Sequence, residues 1–327
     1  MGLDGTFTRR ELLALGVGAS VGSTWLGGPS LRSAWAQTPV KASYFAISAA
    51  IQYYAAKERG LFQAEGLKLE DGFVPGHLVM EGLVSGQVDF TFTNVLNIAQ
   101  INLKGVSVKI LYPGTTISEK NPYTQLVVPT GSPIKTARDL EGKKVAVTQL
   151  RTTAELTTRA WLAANGVDPE KVSFVGVGFT GIIPALKGKQ FDAAFAIEPD
   201  LAVIKAEKLG ESIAVPHLPL GPEVLVTGYI ARESWIEKNP EPAQAVARVL
   251  DKATQWLMAN PQEVAGIIVR NTKIQEGLAR QMIHPGLTRV ARKADLQPLL
   301  DTAVKFKFLA QPIAACSLFS KHCPQAC

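Results

Sequence analysis

Cysteine is nearly missing from this chain. Three occur among 327 residues, Cys316, Cys323 and Cys327, all within the last dozen positions. A thiolate-held metal centre in the body of the chain is thereby excluded. The C-x6-C-x3-C spacing at the end, with His322 inside it, matches no structural zinc pattern. In an oxidising compartment two of the three can pair and leave one free, and the spacing does not choose which. Histidine is also scarce, with His77, His217, His284 and His322 only. There is no H-E-x-x-H, and beyond residue 36 no G-x-S-x-G, so the inventory of a metal or serine hydrolase is lacking. His217, between Pro216 and Pro219, reads as a loop residue with no nucleophile beside it; all four histidines read as surface or helix-end residues. No catalytic residue, metal or cofactor is expected. Charge of one sign is not in large excess either: 34 Lys+Arg stand against 28 Asp+Glu. No basic cluster is interleaved with aromatics, which argues against a nucleic-acid partner. A mildly positive surface slightly favours an anionic ligand.

Long apolar runs are lacking too. The most apolar early stretch, Leu12–Leu26, is Gly-rich and too short for a stable membrane span. It follows Thr8-Arg9-Arg10-Glu11-Leu12-Leu13, a twin-arginine export pattern, and precedes Ala34-Trp35-Ala36, a small-x-small cleavage site. Residues 1–36 are therefore expected to be a signal peptide removed after Ala36, which places the mature protein in the periplasm. The roughly 290 residues that remain, carrying a net charge of roughly +5, exceed one ordinary domain.

What is present is alternation of strand and helix. Val40–Ile47 is β-branched and aromatic, Ser48 to Gly60 reads as a helix with Gly60 just past its end, and Leu67–Phe73 is again apolar. Strand, helix and strand within about thirty residues make a βαβ unit, which requires a parallel sheet. This unit lacks the G-x-G-x-x-G spacing of a dinucleotide site. Further elements follow at His77–Gln87, Val88–Phe92, Asn94–Leu103 and Val108–Tyr112; Pro113–Pro122 reads as a polar loop. Tyr123–Val128 reads as a strand leaving this lobe, and Val224–Ala231 as one returning to it, together a two-strand hinge. Between them a second α/β lobe is expected: strands at Val145–Val147, Val172–Val177, Phe191–Ile197 and Ile213–Val215, with a capping box Thr152-x-x-Glu155 opening a helix that runs to Asn165. From Glu233 onward everything reads as helical, in segments punctuated by Pro240, Pro261 and Pro285. A weak repeat links the lobes. Leu83-Val84-Ser85-Gly86-Gln87-Val88-Asp89 and Leu186-Lys187-Gly188-Lys189-Gln190-Phe191-Asp192 share Leu, Gln and Asp at the same offsets, the two aspartates reading as turn residues.

The wording of several segments is similar to that of periplasmic substrate-binding proteins of the nitrate, sulfonate and taurine type (the SsuA/THI5-like, NMT1-like family). The segments are Ala55-Ala56-Lys57-Glu58-Arg59-Gly60-Leu61-Phe62 with Glu65-Gly66-Leu67, Gly86-Gln87-Val88-Asp89, Asp139-Leu140-Glu141-Gly142-Lys143, Asn165-Gly166-Val167-Asp168-Pro169, and Phe191-Asp192-Ala193-Ala194 with Glu198-Pro199. The resemblance runs from about Ala42 to Leu257 and consists mostly of scaffold. It implies a two-lobed periplasmic-binding-protein fold of type II, each lobe a mixed sheet flanked by helices. With it come a two-strand hinge and a helical C-terminal block. The expected lobes are residues 37–125 with 229–327, and residues 126–228. It also implies a monomer that captures a small solute and delivers it to an inner-membrane ABC permease with a cytoplasmic ATPase. Two alternatives stay open. One is a pyrimidine-precursor binder or synthase of the THI5 kind, whose Cys-rich iron signature this chain lacks; the other is a periplasmic sensor input.

Ligand groups in open α/β sheets come from loops at the carboxyl ends of strands. That rule selects Ser48, Gln52 and Asn94 in the first lobe, and Gln149, Arg151, Thr152, Thr153, Thr180 and Glu198 in the second. Ser48 and Asn94 read equally well as helix caps. Arg151, at the mouth of the helix that the capping box opens, is the expected partner of a ligand's negative charge.

Overall fold

The computed structural model describes residues 37–44, 47–73, 78–272 and 274–327. The expected signal peptide and His77 lie outside the described residues. Strand β1 (Thr38–Tyr44) leads through a 3-10 turn at Ser48–Ala50 into α1 (Ile51–Glu58), α2 (Leu61–Ala64) and β2 (Leu67–Phe73). Then come α3 (Val79–Ser85), β3 (Phe90–Asn94), α4 (Val95–Leu103), β4 (Val108–Pro113) and β5 (Thr115–Ser118). The chain continues through β6 (Thr124–Pro129), β7 (Lys144–Val147), α5 (Thr153–Ala164), β8 (Ser173–Gly176), α6 (Ile182–Lys187), β9 (Ala193–Ile197), α7 (Asp200–Ala206) and β10 (Gly210–Ala214). It returns through β11 (Glu223–Leu225) and β12 (Thr227–Arg232) to α8 (Glu233–Lys238), α9 (Pro240–Ala259), α10 (Val264–Thr272), α11 (Glu276–Ala279), β13 (Gly286–Leu287) and, later, α12 (Lys293–Lys305).

Two five-stranded sheets have the same plan. The first runs β2-β1-β3-β12-β4 and the second β8-β7-β9-β6-β10. In each, the three leading strands are parallel and the fourth in the row is antiparallel to both neighbours. The expected repeat proves to be the same structural step. The Asp89 carboxylate accepts from the Lys41 backbone N–H at 2.8 Å, and Asp192 accepts from Lys144 N–H at 2.8 Å. Each aspartate's own N–H donates back to the carbonyl of the same lysine. These are cross-strand clamps onto β1 and β7 rather than local turn bonds.

Helices cover both faces of the first sheet. One face packs Val40, Phe90 and Tyr229 against Tyr53 and Tyr54 of α1 and Val246, Val249 and Leu250 of α9. The other packs Val108, Ile110 and Ile230 against Leu96 of α4 and Leu299 and Leu300 of α12. Helix α9 starts at Pro240, whose missing N–H costs nothing at that position, and buries Ala243, Val246, Val249, Leu250, Ala253 and Leu257 along one stripe. Truncating such a residue, Leu250→Ala for example, would cost about 2–5 kcal/mol.

Three sequence expectations need correction here. Among the described residues, strand β6 pairs with β9 and β10 alone and β12 with β3 and β4 alone, so neither crosses between sheets. The crossing pair is β5 with β11, antiparallel, joined by β13 into a small third sheet. The β5 residues lie in the stretch read as a polar loop because two are threonines. Burial is permitted there because Thr115 Oγ1 pairs with Thr227 Oγ1 at 2.9 Å and Tyr123 Oη at 3.1 Å, while Thr116 donates to Glu223 at 2.9 Å. Where β4 turns into β5, a Cβ on Gly114 would come within 2.2 Å of Thr227 Oγ1, so only glycine fits that corner. Finally, the region after Glu233 is not helical throughout: among the described residues between α10 and β13, only the four of α11 are helical. The tail carries a Cys316–Cys327 disulfide with Cys323 free and buried, and Ser320 N–H bonds Ile110 O at 2.9 Å along β4. That cover protects the edge strand of the first sheet.

Candidate functional site

A cavity of about 100 Å³ lies at the carboxyl ends of β3, β7 and β9 and takes its lining from both five-stranded sheets. A wider hollow of about 880 Å³, lined by Glu119, Lys120, Glu223, Arg292 and Asp295 among others, draws no residue from either five-stranded sheet. The first is the position where open α/β sheets hold ligands. Its walls combine rings (Phe92, Tyr123, Phe179, Phe195) with a rim of hydroxyls and amides, and among the described residues no Lys, Arg, Asp or Glu lines it.

Of the nine sequence-selected residues, Asn94, Gln149, Thr152 and Thr153 line this cavity. Asn94 is also a cap: its Oδ1 accepts from Asn97 N–H at 3.0 Å, closing the start of α4. Thr152 is the N-cap residue of α5 by position, yet the expected capping box does not form. Its hydroxyl donates to Gln149 O at 2.8 Å, and Glu155 reaches back one residue too far, accepting from Arg151 N–H at 2.9 Å. Helix α5 therefore begins without a side-chain cap.

The other five lie away from the cavity lining. Ser48 is buried and donates to the backbone oxygen of Glu198 at 3.3 Å, a tie between the two halves. Gln52 spends its Nε2 on the carbonyls of Pro113 and Gly114 and accepts from Tyr229 Oη at 3.4 Å. Thr180 is exposed, while its neighbour Phe179 is the one that lines the cavity. Glu198 is buried with both carboxylate oxygens taken, one by Ala202 N–H at 3.1 Å and one by Ile283 N–H at 2.9 Å. Burial pushes its carboxyl up to about 7 even though these two donors work in the opposite direction. Arg151 has a left-handed backbone (φ 63°) and points to the C-terminal segment, donating to Lys307 O at 2.7 Å and stacking over Phe308 at 4.7 Å. Its carbonyl accepts from Gln100 Nε2 at 3.1 Å. The arginine expected to meet ligand charge is thus a tie between α5, α4 and the chain after α12.

His217 is the largest miss. Expected at the surface, it is 1 % exposed and lines the cavity. Its Nδ1 lies 3.1 Å from Thr124 Oγ1, and its Nε2 has no hydrogen-bond partner among the described residues. Burial against Phe195 pushes its pKa down to about 3, so the ring is neutral. Flanking prolines made the segment read as surface loop, but the 3-10 turn Leu218–Leu220 packs against α5 and tucks the ring inward. Phe179 was legible in principle: Gly176-Val177-Gly178-Phe179-Thr180-Gly181 spaces its glycines for a tight strand-to-helix turn. Gly178 is at φ 74°, and a Cβ on Gly181 would strike Val177 O at 2.0 Å.

Comparison with known proteins bears on this geometry. The alkanesulfonate-binding protein SsuA of Xanthomonas axonopodis, solved with MOPS bound, superposes with a TM-score of 0.71 at 15% identity, covering 88% of this chain and 99% of that one. The periplasmic nitrate-binding protein NrtA of Synechocystis superposes at 0.70 and 17% identity, covering 86% and 84%. These likenesses show the fold: two mixed sheets flanked by helices, as in periplasmic binding proteins. In sequence, a protein of Brucella abortus named as a binding protein is 24% identical over 281 residues, 82% of this chain and 80% of its own length. The family described as NMT1/THI5 like matches residues 48–264, more than half of the chain, and the protein belongs to that family.

Proposed function

We propose that the protein is the solute-capturing component of an ABC importer and that its cavity takes a compact organic anion, a short-chain sulfonate or carboxylate. One observation carries this reading: a partly open cavity at the carboxyl ends of three strands, lined from both sheets by hydroxyls, amides and rings, with no charged side chain among the described residues. Such a lining recognises and releases; the titratable groups in it, His217 and Tyr123, face no Ser or Cys nucleophile there. Size narrows the choice, since a cavity of about 150 Å³ accommodates benzene and this one is about 100 Å³. The related folds bind a sulfonate or nitrate, in keeping with an anion, and the apolar rings favour one with a carbon body. A second reading, a neutral heteroaromatic ring of pyrimidine type, is favoured by those same rings and by the lack of a cationic side chain.

In this reading the mature chain works in the periplasm as a monomer and hands its solute to a permease with a cytoplasmic ATPase. It is exported through its Arg9-Arg10 leader and cut after Ala36. Residues 37–125 with 229–327, and residues 126–228, close over the solute about the β5–β11 pair. A thermal-shift screen tests the ligand class. Saturation at about 100 times the dissociation constant adds about 2.7 kcal/mol of stability. Ethanesulfonate, taurine or propionate is expected to raise the melting temperature; a rise only with pyrimidines would overturn the anion reading in favour of the second.

A further inference from the structure

Resting on that reading, we propose that His217 and the uncapped start of α5 together form the oxyanion subsite of the cavity, with the imidazole Nε2–H and the first backbone N–H groups of α5 donating to the solute's sulfonate or carboxylate oxygens. The two features are independent. Helix α5 is twelve residues long and no side chain caps it, whereas α4, which also opens onto the cavity, is capped by Asn94. Thr152, Thr153 and Ala154 of that start line the same cavity as His217. Helix starts with free N–H groups attract anions.

The tautomer follows from Thr124. Its hydroxyl is buried and has one partner, His217 Nδ1 at 3.1 Å. With the ring proton on Nδ1, the Thr124 hydroxyl proton and Nε2 would both be left unpaired, whereas a hydroxyl that donates to Nδ1 leaves one buried group unpaired instead of two. The ring's own proton then resides on Nε2, the nitrogen that lacks a partner. A neutral imidazole in this tautomer is a donor with nothing to donate to, and what it calls for is an oxygen acceptor inside the cavity. The subsite holds negative charge through neutral donors alone. A fixed cation is absent from the lining, so an anion bound there can leave again without breaking an ion pair.

Two measurements test this. In the ligand-free protein, long-range proton–nitrogen correlation of the histidine rings, with His217 assigned by comparison with His217→Phe or, should that variant not fold, Thr124→Val, is expected to show the Nε2–H tautomer. The Nδ1–H tautomer would overturn the proposal. Calorimetry then compares ethanesulfonate, propionate and neutral propionamide. Wild type is expected to bind an anion at least tenfold more tightly than the amide; His217→Phe is expected to lose at least tenfold, and His217→Gln, which keeps an N–H donor, to recover most of that loss. If His217→Phe does not fold, His217→Leu, which is smaller and equally without a donor, carries the test through the same tenfold loss. Anion binding that is unchanged in the variants overturns the subsite but leaves capture of an organic anion standing. Wild type that binds neither anion overturns both.

Discussion

The two five-stranded sheets share strand order, strand direction and the aspartate clamp onto their first strand, yet they treat the loops beyond those strands differently. After β1, Ile47 and Ala49 reach the cavity, but the polar groups are spent: Ser48, Gln52 and the Tyr53 N–H of α1 are buried and bonded to protein groups. After the equivalent β7, the chain stays open, and α5 begins uncapped on a cavity wall. The ends of β3 and β9 differ as well. Asn94 caps with a neutral amide, whereas the matching residue of β9 is Ile197, and Glu198, one position on, places a buried carboxyl there. The lesson is that the repeated part of the molecule is scaffold, and the differences between its copies mark where chemistry has been placed.

The contrast between Asn94 and Glu198 gives the largest expected effect. The Glu198 carboxyl titrates near 4.5 when exposed and at about 7 in the fold. The fold therefore holds a proton between those values that the unfolded chain has released. Stability from this group is fully present below about pH 4.5 and is lost as pH rises through 7. Glu198→Gln makes the second site as neutral as the first. Relative to wild type, its stability is expected to gain about 2–3 kcal/mol between pH 4.5 and pH 8. Urea denaturation at both pH values reads the difference directly. Parallel profiles for the two proteins would mean that the two N–H donors hold the carboxylate ionised, and the contrast would fail.

The shared clamps should respond alike. Asp89→Ala and Asp192→Ala each remove a charge-assisted bond to a first-strand N–H from a half-buried site. Each is expected to cost about 1–2 kcal/mol, a little below the range for bonds to fully buried charges. Chemical denaturation that gave one a cost several times the other would break the equivalence of the two halves.

The helix starts should not respond alike. Asn94→Ala removes a working cap and is expected to cost about 1 kcal/mol, while Thr152→Ala removes no cap, only the hydroxyl's bond to Gln149 O, and should cost about 0.5 kcal/mol. Thr152→Asp would instead supply the missing cap, raise the melting temperature of the ligand-free protein and compete with an anion for the same N–H groups. If Thr152→Ala proves as costly as Asn94→Ala, α5 is capped in solution.

Much of the scaffold was legible in the sequence because its signals are local. The βαβ opening, Gly60 past the end of α1, and the Leu-Gln-Asp repeat each depend on residues within one turn or strand of each other. What was not legible is which polar groups are already spent. Gln52 is held by Gly114, 62 positions away, and Ser48 by Glu198, 150 positions away. Nothing within a window of local sequence reports such bonds. The same distance problem hid His217: its burial comes from Phe195 and Thr124, and the prolines around it argued the other way. The strand-end rule leads to the cavity but does not tell a lining side chain from its neighbour, as with Phe179 and Thr180.

Arg151 sharpens the comparison at its smallest scale, because it belongs to the open α5 loop and yet is spent on structure. Its guanidinium bonds Lys307 O and lies over the Phe308 ring, while its positive φ turns the backbone so that its N–H meets Glu155 and its carbonyl meets Gln100. Two opposing terms follow. The side chain stabilises by about 0.5–1 kcal/mol, the scale of an exposed cation–π contact, and the left-handed backbone of a residue with a Cβ costs about as much or more. Arg151→Ala removes the first and keeps the second, so the ligand-free protein should lose about 0.5–1 kcal/mol. Arg151→Gly removes both and should regain most of that loss. Solute affinity should change little in either variant, because the guanidinium is directed to the C-terminal segment. A tenfold loss of ethanesulfonate binding in Arg151→Gly with an unchanged melting temperature would return the arginine to the binding site and the C-terminal tie to incidental contact.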